Sequence, residues 1–443
     1  MKFVLLAVLL TACGGQLADD DGGVTDASAK DVKKDGTPIV DTGIDVSPPL
    51  DAGLNVSGNG PGYDSEDELA VAPDGTIAIL WSSFLPAPPY VTMRYAFSTH
   101  DGQSFNAPAD VITPNGLYPG DPAITVDAQG NFWAVYLGIA YNGQSVDYSR
   151  VYVAEAPKGT LKFGPPVEVS APSQTTSLID HPKIHVTSAG TLLVGWADIP
   201  NGAQTSTGVV ARSTNGTTWT RTTIIQQPES VFSNFFWFCD SAAGVHTVFL
   251  QASNVSFFTG IRTSTDDGVS FGAGNSTQVS QGTDQVAGLD PMCVASGNDV
   301  WVMYMTTQNP SIDETTLDGA DHIWVAHSAN GGQTFPNRIE GLDAKAGSLA
   351  TIPLIARDDV GMLDVAYIAG DFDQDTSGTI RFTRSGGPSK AVDGPMLFDL
   401  NRTTQTWLGD YFGGIAKSGS LYLAYPRNET GLDHIYFAKV AVP

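Results

Sequence analysis

The chain of 443 residues carries 47 acidic against 22 basic side chains, a formal net charge of −25. That balance excludes a nucleic-acid-binding face, which has to be basic, and electrostatic docking on anionic lipid. Only 16% of residues are charged while Gly reaches 48 and Pro 27, a composition suited to many short strands joined by turns, and no long stretch shows helical periodicity.

At the amino terminus, Lys2 precedes the apolar run Phe3 to Leu10. The run is too short to span a bilayer as a helix, so residues 1–12 are expected to be a signal peptide. Leu10-Thr11-Ala12-Cys13 resembles a bacterial lipobox. That resemblance implies cleavage before Cys13, lipidation of Cys13, a membrane as partner, and a place at the bacterial cell envelope, on the outer membrane or cell surface. Several acyl chains on one residue hold a protein firmly, whereas a single chain is marginal. Residues 13–55 then change to Asp, Gly, Ala, Thr, Val and Lys, with nine Asp and three Lys after Cys13. Such a segment buries too little apolar surface to offset its ordering entropy, and it is expected to be a disordered acidic tether.

Residues 56–443 are one body built on a repeat. Leu69 to Ala72 precedes Gly75 and leads to Ile77 to Trp81; Asp121 to Val126 precedes Gly130 and leads to Phe132 to Tyr136; His181 to Val186 precedes Gly190 and leads to Leu192 to Trp196. The scheme returns around Gly244, Gly297, Gly361 and Gly419, with spacings of 55, 60, 54, 53, 64 and 58 residues. A third strand follows in each unit, as in Ile323 to Ala326 and Ile435 to Ala438. Units of this length holding about four strands predict an all-β propeller of four-stranded blades. Seven blades is the expected number. Six with an irregular insertion is the alternative, because Phe235 to Leu250 is the weakest match. The chain stops just after the third strand of the last unit, so a segment near Leu54 to Val56 is expected to supply the missing outer strand.

Between the third and fourth strands stands a turn, Ser264-Thr265-Asp266-Asp267-Gly268-Val269-Ser270-Phe271, repeated as Ser328-Ala329-Asn330-Gly331-Gly332-Gln333-Thr334-Phe335. Its Asp or Asn can accept hydrogen bonds from the turn's own amides, its Gly takes positive φ, and its aromatic ring returns to an apolar layer. Eroded copies run from Ser98 to Phe105 and from Arg212 to Trp219. On Ser264, Asp266, Gly268, Phe271, Ser328, Asn330, Gly332 and Phe335 the chain resembles the Asp-box, or bacterial neuraminidase repeat, of sialidase-like β-propellers.

In a propeller the first strand of each blade lines the axis, and residues at its entrance meet at one mouth. Asp67, Asp121, Asp180, His181, Asp290, Asp410 and Tyr411 stand at such places. Converging carboxylates can orient sugar hydroxyls, hold a cation, or set an acid opposite a base; capping of turns by Asp before Pro is the structural alternative. The resemblance implies that a catalytic sialidase would need three arginines gripping the substrate carboxylate, a Tyr nucleophile paired with Glu, and an Asp acid/base. The family's Arg-Ile-Pro motif is missing, and no Arg precedes Arg94. Arg402, Tyr411, Arg427 and Glu429 are the nearest match to a remnant.

Two further features stand apart. Asp371, Asp373 and Asp375 alternate in a loop of the sixth unit and suit Ca²⁺, although the EF-hand spacing is not met. Cys239 and Cys293 each fall near the start of an inner strand in consecutive units; two buried thiols are expected ahead of a disulfide, with the disulfide left open by an exported location. The resulting expectation is a monomeric envelope lipoprotein that binds a glycan or protein at the propeller mouth without catalysis. The alternative is a glycoside hydrolase of the exo-alpha-sialidase type working through Asp121, Asp290, Asp410 and Tyr411.

Overall fold

Runs such as Ile77–Phe84 are buried at every position, as a strand must be when both faces of its sheet are covered. The computed structural model describes residues 53–143, 145–170, 177–200, 206–226, 230–252, 257–272, 276–282, 284, 286, 291–306, 322–340, 348–371, 377–385, 387–397, 409–428 and 431–442. They form seven antiparallel four-stranded blades arranged as a β-propeller. Its inner strands are Tyr63–Val71, Tyr118–Val126, Ser177–Val186, Ser230–Ser241, Met292–Ser296, Ser348–Arg357 and Gly414–Lys417. Each touches the next and the last touches the first, so they close a ring. The uncertain fourth unit is a complete blade.

The ring closes through the strand Leu54–Asn55, which pairs antiparallel with Asp433–Ala441 in the register Leu54↔Phe437 and Asn55↔Tyr436. Val56 N–H donates to the Ile435 carbonyl at 2.8 Å, and the Val56 side chain enters the apolar layer between the first and seventh blades with Ile435 and Phe437. The expected outer strand of the last blade is therefore present at the expected place.

The hydrophobic core lies between neighbouring blades rather than on the axis. Leu80, Met93 and Tyr95 of the first blade pack with Ile124, Ala134 and Tyr136 of the second, and Leu193 and Val210 of the third pack with Phe236 and Phe249 of the fourth. The turns found in the sequence serve this packing. In the Ser264–Phe271 turn, Gly268 N–H donates to Ser264 Oγ at 2.7 Å and Ser270 N–H to Asp266 Oδ1 at 2.8 Å. Gly268 has a φ of +80°, and a Cβ there would lie 2.5 Å from Leu193 of the third blade, so shape and conformation both require glycine. Asp267 beside it receives Thr187 Oγ1, Thr191 Oγ1 and Arg212 from that blade at 2.7, 2.5 and 2.9 Å. The turn is thus a clamp on the preceding blade. The Arg212 to Trp219 copy is less eroded than its sequence suggests. Ser213 Oγ accepts from Gly216 N–H at 2.9 Å and Asn215 Oδ1 from Thr218 N–H at 2.9 Å, the same bonds in a turn one residue shorter.

One expectation needs correcting. Cys239 and Cys293 form a disulfide, with Cα atoms 5.8 Å apart. Cys239 lies near the end of its inner strand, not the start, whereas Cys293 lies near the start of the next. The ring brings those two places together between the fourth and fifth blades, within the distance a bridge needs.

Candidate functional site at the axial mouth

Three consecutive inner strands break register at the same point, between Ser65 and Glu68, Gly120 and Ala123, and Asp180 and Lys183. At each break one extra residue forms a bulge. The bulged residues Glu66, Asp121 and His181 have φ of 53°, 48° and 39°, a left-handed conformation that side-chain-bearing residues adopt only when their surroundings enforce it. Pro122 and Pro182 follow two of them and offer no N–H to the ladder. The strands so re-aimed bring side chains from three blades, and from the 409–413 stretch, into one cluster.

His181 is at its centre. Its Nε2 lies 3.6 Å from Asp410 Oδ2, 3.9 Å from Asp180 Oδ1 and 4.0 Å from Asp121 Oδ2. Its backbone N–H donates to Asp121 Oδ2 at 3.1 Å. The Tyr411 ring meets the imidazole edge-on at 6.1 Å between centroids, and its hydroxyl donates to the Pro122 carbonyl at 2.8 Å. Beside it Lys183 Nζ pairs with Glu68 Oε1, from a blade 115 residues earlier, and stands 3.6 Å from the Tyr411 ring centre and 5.3 Å from that of Trp237. Asp67 is fully buried and accepts from Gly413 N–H at 3.2 Å; burial holds its carboxyl well above the usual aspartate range, against the pull of that hydrogen bond, with the neighbouring Glu68 charge pushing it further up.

The structure thus gathers Asp121, Asp180, His181, Asp410 and Tyr411 as the sequence predicts. Asp67 belongs to the same interior but packs on Gly413. Asp290 lies outside the described residues, as do Cys13, Asp373, Asp375, Arg402 and Glu429; of Asp371 the backbone alone is described, paired with Ser348. Arg427 does not join the axis: it pairs with Asp393 of the sixth blade at 2.7 Å. Glu66, Glu68, Lys183 and Trp237 were not picked out from sequence. The bulge before proline at Asp121 and His181 was a usable signal, but Glu66 is followed by Asp67 and hides it.

Chemically the cluster is buried and rich in hydrogen-bond acceptors. Among the described residues its basic side chains are His181 and Lys183, and no arginine enters it. Single donor atoms of Asp121, Asp180 and His181 lie within 4.8 Å of one another and could hold a metal ion.

Comparison with known proteins gives a fold. A Dyadobacter fermentans protein of unknown function matches with a TM-score of 0.53 and 12% identity over 89% of this chain and 98% of that one. The phage phi92 endosialidase matches with a TM-score of 0.50 and 11% identity, over 89% and 69%. A Penicillium chrysogenum alpha-L-arabinanase, in complex with arabinobiose, reaches 0.49 and 11%, over 88% and 98%. The chain has the sialidase-like propeller fold. At these identities the likeness extends no further than fold. No protein-family model and no curated protein matches the sequence.

Proposed function

We propose that the protein is a lipid-anchored propeller of the bacterial envelope whose axial mouth binds a neutral glycan or a protein without transforming it. The convergence of Asp121, Asp180 and Asp410 on His181 supports this reading best. Carboxylates accept hydrogen bonds from sugar hydroxyls or peptide amides, and their charge repels an anionic sugar. Lys183, the cation nearby, is already paired with Glu68. One observation weighs against hydrolysis. The Tyr411 hydroxyl, the candidate nucleophile, is turned onto the Pro122 carbonyl.

Anchoring through Cys13, a tether over 13–55, Asp-box identity for the Ser264–Phe271 and Ser328–Phe335 turns, a calcium ion on Asp371, Asp373 and Asp375, and a monomeric state belong to the same reading. An array of neutral and sialylated glycans, followed by reducing-sugar assays on whatever binds, tests it. Binding of neutral glycans that is lost in Asp121→Asn and Asp410→Asn, with no sugar released, is expected. Sugar release by the wild type that disappears in Asp410→Asn overturns the non-catalytic role in favour of the hydrolase.

A further inference from the structure

We infer that the seam between the fifth and sixth blades is a docking site for an acidic, glycine-centred turn of a partner polypeptide, seated on Trp301 and held by Arg357. The inference does not depend on any ligand at the axial mouth. Its template is repeated within the molecule. Trp301 pairs with His327, the third-strand residue just before the turn of its blade. The residues at the same register in the other six blades are Ala78, Trp133, Leu193, His246, Asp364 and Tyr422. Trp133, Leu193 and His246 each carry a glycine of the next blade's turn: a Cβ on Gly216 or Gly268 would collide with the side chain beneath, and one on Gly332 would crowd it. An acidic residue accompanies the glycine in two turns. Asp267, before Gly268, pairs with Arg212 of the preceding blade, and Asp101, before Gly102, pairs with Lys439; both cations are the third-strand partners at that register.

The six counterparts are all buried, whereas Trp301 is only half-buried. The sixth blade's turn is the reason. It is short, and Gly387 N–H donates back to the Arg384 carbonyl of its own strand at 2.9 Å. Among the described residues, no hydrogen bond, ion pair or ring contact joins that turn to Trp301 or His327. What meets Trp301 instead is the His327 ring, nearly parallel to it at 5.0 Å between centroids, and the Arg357 guanidinium of the sixth blade at 5.5 Å. The fifth blade therefore keeps a receiving surface for which its neighbour supplies no clamp.

Charge selects the occupant. His327, standing where Arg212 and Lys439 stand, is already taken by Asp299 of its own blade at 2.7 Å. Arg357 is not taken. Arg94, Arg150, Arg212, Arg338, Arg384 and Arg427 all pair with carboxylates, but Arg357 has no hydrogen bond or ion pair among the described residues, and its Nε is buried without a partner. A guanidinium in that position is completed by a carboxylate, through charge-assisted hydrogen bonds. It lies along the turn at Gly361, whose neighbours Val360 and Met362 are 80% and 37% exposed. An apolar seat beside an unpaired cation matches a turn whose glycine lets the backbone approach closely and whose Asp or Glu reaches the guanidinium.

The molecule's own clamp is the probe. A cyclised peptide of Ser264 to Phe271, titrated into the nitrogen-15-labelled full-length protein, should shift the Trp301 indole N–H signal to saturation, that signal being assigned through its loss in Trp301→Phe. Asp267→Asn in the peptide and Arg357→Gln in the protein should each weaken binding by about fivefold, while Arg94→Gln, on the first blade, leaves it unchanged. Arg357→Gln removes no ion pair of the described residues, so its melting midpoint should match the wild type and show the fold intact. A Trp301 signal that stays fixed at millimolar peptide, or equal binding by Arg357→Gln, overturns the inference. A signal that instead moves with protein concentration alone, in step with dimer formation in sedimentation, overturns it in favour of a second copy of this chain.

Discussion

Breaking the Cys239–Cys293 bridge should loosen the whole propeller by an amount that its position predicts. The bridge spans 54 residues of sequence. Loop-closure entropy for that length is about 14 cal/mol/K, or about 4 kcal/mol at 25 °C. A body of about 390 residues unfolds with an entropy near 0.8 kcal/mol/K, so the midpoint should fall by about 5 °C. Both sulfurs are buried among Val248, Leu250, Val302 and Tyr304. Alanine is accordingly the better replacement, since serine would bury a hydroxyl in that layer. Calorimetry of the oxidised wild type, the reduced wild type and Cys239→Ala/Cys293→Ala gives three curves. The reduced protein and the double variant should fall together, apart from a smaller further loss in the variant from the removed sulfur atoms. Alkylation and mass analysis fix the redox state independently. Free thiols at both positions in protein recovered from an oxidising compartment, or a midpoint that reduction moves by less than about 1 °C, would refute the reasoning.

Deleting residues 50–60 removes the Leu54↔Phe437 and Asn55↔Tyr436 pairs and the buried Val56; the cost should be roughly 3–5 kcal/mol, read as a lower midpoint for the whole body, and an unchanged midpoint would count against ring closure by this strand. His246 is fully buried, its Nε2 2.7 Å from Ser241 Oγ and its Nδ1 2.9 Å from Thr263 Oγ1, and burial lowers its pKa to about 4. The unfolded ring takes up its proton near pH 6.5 and the folded one near 4, so its contribution is fully present above 6.5 and falls by about 1.4 kcal/mol per pH unit down to 4, about 3 kcal/mol in all. Urea midpoints at pH 7.5 and 4.5 should therefore drop further in the wild type than in His246→Gln; parallel drops would mean that burial does not shift this ring. Calcium titration by calorimetry should give heat for the wild type that Asp373→Ala abolishes, and silence in both would remove the loop as a calcium site.

The blade repeat is legible in the sequence because it is local. A glycine at each inner hairpin and the Ser-x-Asp-x-Gly turn recur at a period that chain geometry fixes, whatever the rest of the molecule does. Asp121, His181 and Asp410 are legible for a related reason, although the structure sets Asp121 and His181 at bulges inside their inner strands rather than at the entrances, with only Asp410 standing just before its own. What escapes is anything that needs the ring to exist first. Lys183 and Glu68 are partners 115 residues apart, and Cys239 and Cys293 face each other only once the fourth and fifth blades are side by side. The clamp between Asp267 and Arg212 is of the same kind, joining one blade's turn to the previous blade's third strand. The shortened turn at Ser213 and Asn215 escapes differently, because losing one residue shifts every later position against the template while keeping each hydrogen bond.

Asn55 Nδ2 reaches the Tyr436 hydroxyl at 3.3 Å across 381 residues of chain. Contacts of that span form late, because the entropy of closing so large a loop must be overcome before the strand pairing returns anything. Six blades can assemble in order as the polypeptide emerges, but the earliest-made strand of the body must wait for the last one. Until then Asp433–Ala441 presents a bare edge that any other extended segment can occupy. The vulnerable interval is therefore the one before these two strands meet. A slow final folding phase, and capture of neighbouring chains at high concentration during it, follow from where the ring was cut.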